Sequence, residues 1–385
     1  MLRLEEFWTW DFWLADDGRR YHIYFLKARR SLGDPDLRHV HASIGHATSA
    51  DLIHWDEAAD ALAPASGPAF DDLATWTGSV VRGPDGTWFM FYTGCTRTEH
   101  GLKQRIGLTT SADLYTWRRH PASPVLESDP RWYAQLGPDQ PDEAWRDPWV
   151  YPDPGGDGWH MLVTARAAQS ADGHPGVVGH ARSADLVRWQ AQPPLSRPDA
   201  GFWHLEVPQA EVVAGRPVLM FSCLPGELDG RRRAAGERGG VWSAPGDSVT
   251  GPFDIGRAAP LTGEELYSGR LIRDRAGRWV MLAFRNLDAG GGFGGEITDP
   301  IPVSVAEDGA VLRPGKAGAA GPGGALASPG GRRGIPRLRR RPAGRAAARG
   351  SGQPRRLAGA GHAPARQRLG FRDLLPGSFR PTGAT

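Results

Sequence analysis

Three acids of this 385-residue chain stand in short blocks of similar make-up. Asp11 lies in Trp-Asp-Phe-Trp (Trp10–Trp13), Asp147 in Trp-Arg-Asp-Pro (Trp145–Pro148) and Glu206 in Leu-Glu-Val-Pro (Leu205–Pro208). Trp-Thr-Gly-Ser (Trp76–Ser79) and Tyr-Ser-Gly-Arg (Tyr267–Arg270) complete a series of five such blocks. Breaking a glycosidic bond needs one carboxyl that keeps its proton for the leaving oxygen and one carboxylate facing the anomeric carbon. Acids held close together drive each other's pKa values apart, which divides these roles without unusual residues. Taken singly, Asp11 reads as a turn acid, Asp147 as the partner of Arg146, and Glu206 as a solvated strand end. At matching places of a repeat, the three instead converge in a Trp-rich pocket.

The repeat that would bring them together is visible in two series. A Gly-led turn followed by an apolar run recurs at Gly18–Ala28, Gly86–Cys95, Gly158–Ala168, Gly215–Leu224 and Gly277–Asn286, and each run reads as a buried strand. Downstream, Ser-Ala-Asp-Leu-x-x-Trp occurs within Ile44–Trp55, Ile106–Trp117 and Val178–Trp189, with a degenerate copy at Gly240–Phe253. Asp51, Asp113 and Asp185 of that motif are read as turn formers that bond their own backbone. Trp55, Trp117 and Trp189 are read as wedges between sheets. Five such units at about 60–70 residues each, without an amphipathic helix, predict an all-β, five-bladed β-propeller over residues 1–315.

Composition bounds the rest. The formal net charge of +3 averages two unlike parts. Residues 316–385 hold 15 basic residues and one acid, whereas residues 1–315 hold 31 basic residues, 42 acids and all 15 Trp. The Arg/Gly/Ala/Pro-rich tail is expected to be disordered or to be the product of a shifted reading frame. A nucleic-acid role for its arginines is the weaker reading, so neither nucleic acid nor membrane is expected as a partner. No apolar run is long enough for a membrane-spanning helix. Two cysteines, Cys95 and Cys223, are read as buried thiols, and with no visible leader a cytoplasmic location is expected. No ligand spacing points to a metal, and no cofactor is implied.

In order, these blocks resemble the β-fructosidase superfamily, glycoside hydrolase families 32 and 68, and more distantly family 43, over approximately residues 7–310. Arg-Asp-Pro (Arg146–Pro148) is identical to the family motif, and Trp76–Ser79 looks like its Trp-Ser-Gly-Ser. The resemblance implies a propeller in which Asp11 is the nucleophile and Glu206 the acid and base. Asp147 would hold two sugar hydroxyls, with Arg146 keeping it ionised. Trp76 and Ser79 would line the sugar subsite, and Trp10, Trp13 and Trp203 its aromatic walls. An oligosaccharide or disaccharide is the implied substrate, cleaved at a β-fructofuranoside linkage by a retaining double displacement. The alternatives are an inverting arabinofuranosidase or xylosidase like family 43, and a sugar-binding propeller without catalysis. Trp10 and Phe12 around Asp11, and Val207 after Glu206, depart from the family 32 pattern and leave hydrolysis and transfer both open. His100 and His204, near the site segments, are read as ordinary histidines or as substrate contacts; Arg270 is read as within reach of the channel.

Overall fold

The computed structural model describes residues 1–138, 140–306 and 312–314. The expectation for the tail at 316–385 therefore lies outside the described residues. Five four-stranded antiparallel sheets follow one another along the chain, each built in strict sequence order. Blade 1 holds β1 (Phe7–Asp16), β2 (Tyr21–Arg29), β3 (Ser43–Ser49) and β4 (Asp56–Glu57). Blade 2 holds β5 (Ala74–Arg82), β6 (Trp88–Cys95), β7 (Gln104–Ser111) and β8 (Arg118–Arg119). Blade 3 holds β9 (Trp145–Pro152), β10 (Trp159–Arg166), β11 (Gly176–Ser183) and β12 (Trp189–Gln192). Blade 4 holds β13 (Glu206–Val213), β14 (Arg216–Cys223), β15 (Gly240–Pro245) and β16 (Ala259–Pro260). Blade 5 holds β17 (Leu266–Arg273), β18 (Trp279–Arg285), β19 (Ile301–Val305) and β20 (Leu312–Pro314). The protein is a five-bladed β-propeller.

The Gly-led runs are the second strands of the blades. The turns into them carry Gly18, Gly86, Gly158, Gly215 and Gly277 at φ between +75° and +88°, the left-handed region that favours glycine. The Ser-Ala-Asp-Leu motif is the turn after the third strand. Ser49 Oγ accepts from the Asp51 and Leu52 amides, and Asp51 Oδ1 accepts from those of Ile53 and His54, with the same pattern at Asp113. Buried apolar side chains fill the seams between blades. Trp117 of blade 2 meets Tyr24 of blade 1 edge-on at 5.6 Å, and Trp189 of blade 3 meets Phe91 of blade 2 at 5.4 Å. The ring closes where the amino-terminal segment joins blade 5: Leu2 and Ile297 exchange two backbone bonds, and the Thr9 amide donates to the Gly295 carbonyl at 3.1 Å.

One irregularity is common to all five innermost strands. Their register shifts at Trp10/Phe12, at Trp76/Gly78, opposite Leu162/Thr164, at Glu206/Gln209 and at Tyr267/Arg270. Each shift is a β-bulge, the device by which a strand bends and re-aims a side chain beside a site. The bulges fall in the five sequence blocks.

Candidate active site

The bulges sort the blocks into two rings. Trp10, Trp76, Arg146, Glu206 and Tyr267 are the last paired residues before each bulge. Asp11, Thr77, Asp147, Val207 and Ser268 follow them one position on. Asp11 and Asp147 thus occupy equivalent places, whereas Glu206 stands one residue earlier, in register with Arg146 and Tyr267. Asp147, Val207 and Ser268 have φ of +59°, +54° and +48°. Non-glycine residues pay about 1–3 kcal/mol for such a conformation, which persists where the surrounding packing enforces it.

Asp11 accepts from Thr77 Oγ1 at 2.7 Å and from the Ser268 hydroxyl, so blades 2 and 5 both grip the acid of blade 1. Burial pushes its pKa up, aided by the charge of Glu206, while the two hydroxyls and Arg38 pull against it. Asp147 is buried. Its Oδ2 accepts from Thr164 Oγ1 at 2.7 Å and from the Val207 amide at 3.3 Å, and its own amide donates to Thr93 Oγ1 at 3.0 Å. Burial, with Asp11 and Glu206 as like-charged neighbours, pushes Asp147 to about 6 despite Arg146 and the Thr164 hydroxyl. Glu206 accepts from Arg146 Nη2 at 2.5 Å and from the Tyr267 hydroxyl at 2.6 Å. Burial raises its pKa, but the Arg146 guanidinium and the Tyr267 bond bring it below the usual glutamate value. The Val207 amide next to Glu206 bonds Asp147, and Arg146 lies between Asp147 and Glu206. Asp11 is held by the equivalent bulge residues of blades 2 and 5, so the three acids face one site.

Arg146 differs from its expected role. Its Nε lies 3.7 Å from Asp147, but its Nη2 is on Glu206, so it pairs foremost with the acid of the next blade. Trp13 is no wall of the site: it is fully buried and stacks on Tyr24 at 6.0 Å in the seam, because it lies past the bulge on the core side of β1. Ser79 is no subsite residue either. It is fully buried, and its Oγ accepts from the Val150 amide at 3.1 Å, tying blade 2 to blade 3. Trp10 is likewise covered, with the Arg38 guanidinium 5.6 Å from its ring and His39 edge-on at 6.3 Å. Trp76 is nearly covered; its Nε1 donates to the His39 carbonyl at 2.8 Å. Trp203 keeps a half-buried ring under the guanidinium of Arg166, at 5.4 Å. His100 sits in a turn at φ +55°.

Several residues enter the site without having been singled out. Thr77 and Ser268 stand at the bulge places equivalent to Asp11, so superposing the five blocks would have found them. Tyr267 could be found in the same way, through its equivalence to Glu206. The 3-10 segment Pro35–His41, between β2 and β3, brings Arg38 and His39 to Trp10 and Trp76, and no repeat signals it. Arg270 does reach the centre. It is buried, and its guanidinium donates to the carbonyls of Phe12 at 3.2 Å and Pro208 at 3.0 Å, joining the backbones next to Asp11 and Glu206. Burial lowers its pKa to about 10, which leaves it charged at neutral pH.

Ligand atoms of His204, Glu206 and Glu227 lie within 4.8 Å of one another, a spacing compatible with a cation. Each is already engaged, however: His204 by Arg166 and Glu227, and Glu206 by Arg146 and Tyr267. The positive guanidiniums beside them fit a hydrogen-bonded network better than a metal centre. Chemically, the arrangement offers a hydroxyl-bound aspartate, a buried aspartate of raised pKa, and a partly accessible glutamate whose side chain keeps 19% of its surface.

Comparison with known proteins agrees with this architecture. The chain is 31% identical over 168 residues to β-fructofuranosidase 1 of Zea mays, covering 41% of this chain and 23% of that one. It is 28% identical over 258 residues to sucrose-6-phosphate hydrolase of Zymomonas mobilis, covering 62% of this chain and 46% of that protein. The matched segments thus span less than half the length of these curated relatives. In fold, it superposes on the inulosucrase of Halalkalicoccus jeotgali bound to kestose with a TM-score of 0.64 and 21% identity, covering 81% and 90% of the two chains. It also superposes on fructan 1-exohydrolase IIa of Cichorium intybus with a TM-score of 0.59 and 20% identity, covering 82% and 59%. The profile of the glycosyl hydrolases family 32 N-terminal domain matches residues 14–288, most of the propeller, and on that match the chain belongs to glycosyl hydrolase family 32.

Proposed function

We propose that this site hydrolyses β-fructofuranoside linkages of a disaccharide or oligosaccharide by a retaining double displacement. The observation that carries this reading is geometric: Asp11 is gripped by Thr77 and Ser268, Asp147 accepts from the Val207 amide next to Glu206, and Arg146 lies 3.7 Å from Asp147 and 2.5 Å from Glu206. Asp11, oriented by Thr77 and Ser268, attacks the anomeric carbon. The bond from that carbon to the glycosidic oxygen breaks as Glu206 gives its proton to the oxygen, leaving a fructosyl ester on Asp11. Glu206, now ionised, takes a proton from water; the resulting hydroxide displaces Asp11 and releases fructose.

Glu206 suits the proton-transfer role because it is accessible, whereas Asp147 is buried with its Oδ2 already bonded. In the free site, however, Arg146 and Tyr267 favour the ionised form of Glu206, and burial favours a proton on the aspartates. The reactive form, with Glu206 protonated and Asp11 ionised, is then the minor one, and bound sugar must desolvate Glu206 to favour it. Asp147 serves as the anchor for sugar hydroxyls.

The test is turnover of sucrose, inulin, an aryl β-fructofuranoside and aryl arabinofuranosides by the full chain, by Asp11→Asn and by Glu206→Gln. Fructoside hydrolysis lost in both variants supports the reading. Turnover confined to arabinofuranosides with inversion, or sugar binding with no turnover, contradicts it.

A further inference from the structure

We infer that His204, held between Arg166 and Glu227, is a positioning residue whose neutral form holds the charge frame around Glu206. This inference rests on the assignment of Glu206 as the acid and base.

The contacts fix its tautomer. Arg166 Nη1 lies 2.8 Å from His204 Nε2, and His204 Nδ1 lies 2.9 Å from Glu227 Oε1. A guanidinium has donors and no acceptor, so Nε2 must present a lone pair. The ring proton is then on Nδ1 and is donated to Glu227, the last residue of a one-turn 3-10 segment, Pro225–Glu227, after β14. Beyond Arg166 the network continues to Glu206. Arg166 Nη1 also donates to Asp142 Oδ1 at 2.8 Å. Asp142 Oδ2 accepts from Gln104 Nε2 at 3.2 Å and faces Arg146 Nη1 at 3.4 Å; Arg146 Nη2 is the donor on Glu206. Charges alternate along this path, and its two guanidiniums are almost fully enclosed.

Protonating His204 breaks the pattern. Two N–H groups would then face each other across 2.8 Å, and the ring would have to leave Arg166. The groups that face His204 are Arg166 from β10, Glu227 from the segment after β14, Glu206 from β13, and the Trp203 ring at 6.2 Å; Asp142 lies beyond Arg166, bonded to the same Nη1. Among the described residues, Glu206 and Glu227 are the acceptors beside a freed Nε2–H. A cation there favours the ionised form of Glu206, and Arg166, which holds Asp142 beside Arg146, loses a partner. Neutral His204 avoids both effects.

The experiment combines ¹⁵N-histidine NMR and steady-state kinetics on the full chain. Long-range ¹H–¹⁵N spectra, assigned by the signal lost in His204→Gln, are expected to show His204 as the Nδ1–H tautomer at neutral pH. His204→Gln can offer Oε1 to Arg166 but cannot be protonated. It is expected to stay within about tenfold of the parent kcat. His204→Ala is expected to lose about 10²-fold in kcat with a smaller change in KM, the effect of a misplaced reacting group. An Nε2–H tautomer overturns the inference. So does a folded His204→Gln that is as slow as His204→Ala. Absence of fructoside turnover by the parent chain defeats the functional reading; the tautomer then still decides whether His204 is held as described.

Discussion

Arg146 stands 2.5 Å from Glu206 of the next blade and 3.7 Å from its own sequence neighbour Asp147. The bulges account for this. Arg146 and Glu206 are both the last paired residues of their strands, so they meet in one ring, whereas Asp147 is turned one place further in at φ +59°. Glu206 therefore rests as a doubly bonded carboxylate.

Tyr267→Phe removes one of those two bonds. A hydrogen bond to the charged form lowers an acid's pKa, so its loss raises that of Glu206. Because the reactive form is the minor one, Glu206, the stronger acid of the pair, sets the acid limb of kcat/KM, which is expected to move to higher pH by about one unit, as befits a bond to a charged group. An unmoved limb in an active variant would show that Tyr267 does not govern this proton.

Thr77→Val acts on the other limb. Thr77 stabilises the ionised form of Asp11, and burial already raises that acid. Asp11, the weaker acid of the pair, sets the alkaline limb of kcat/KM, which is expected to move to higher pH. Steady-state rates on both sides of the pH optimum are the check.

Gly78→Ala addresses the bulge itself. A Cβ at this position would overlap the Phe91 carbonyl oxygen, a backbone atom that cannot swing aside. The bulge that presents Thr77 to Asp11 would have to open. A loss of about 1–3 kcal/mol is expected in denaturant unfolding, by analogy with overpacked cores, together with reduced kcat.

Two buried histidine pairs make stability depend on pH. His22 Nδ1 faces His46 Nε2 at 3.0 Å in blade 1, and His160 Nδ1 faces His180 Nε2 at 2.9 Å in blade 3. Burial, helped by the partner histidine, lowers His46 and His180 to about 3 each. Their unfolded-state pKa is near 6.5, so between pH 6.5 and 3 the unfolded chain binds more protons. Their contribution is complete above pH 6.5 and is lost as pH falls, with a limiting slope of about 1.4 kcal/mol per unit for each group. Urea unfolding at stepped pH, compared with His46→Gln, is expected to show a shallower acid slope in the variant.

Much of this architecture is legible in the chain. The Gly-led runs and the Ser-Ala-Asp-Leu turns are local signals with local causes, a left-handed turn and a side chain bonding its own backbone, so they mark the second and third strands correctly. The five blocks mark the bulges. What the blocks do not convey is which way each side chain points, because a bulge offsets the alternation. Trp13 and Ser79 share blocks with site residues yet face the seams. The frame of Arg166, Asp142 and His204 joins residues that are far apart in sequence and belong to no repeat. Its signal is the burial of paired charges, which only the folded chain shows.

The central claim is that Asp11 forms a covalent bond to the sugar while Glu206 manages the proton. Glu206→Gln with an aryl β-fructofuranoside tests it most directly, since a good leaving group needs no proton for the first step and the second step lacks its base. Peptide mass mapping of the quenched variant is expected to find one fructosyl group on the peptide carrying Asp11, absent when Asp11→Asn is added. Hydrolysis with inversion at the anomeric carbon, or a sugar attached to another residue, would contradict the account.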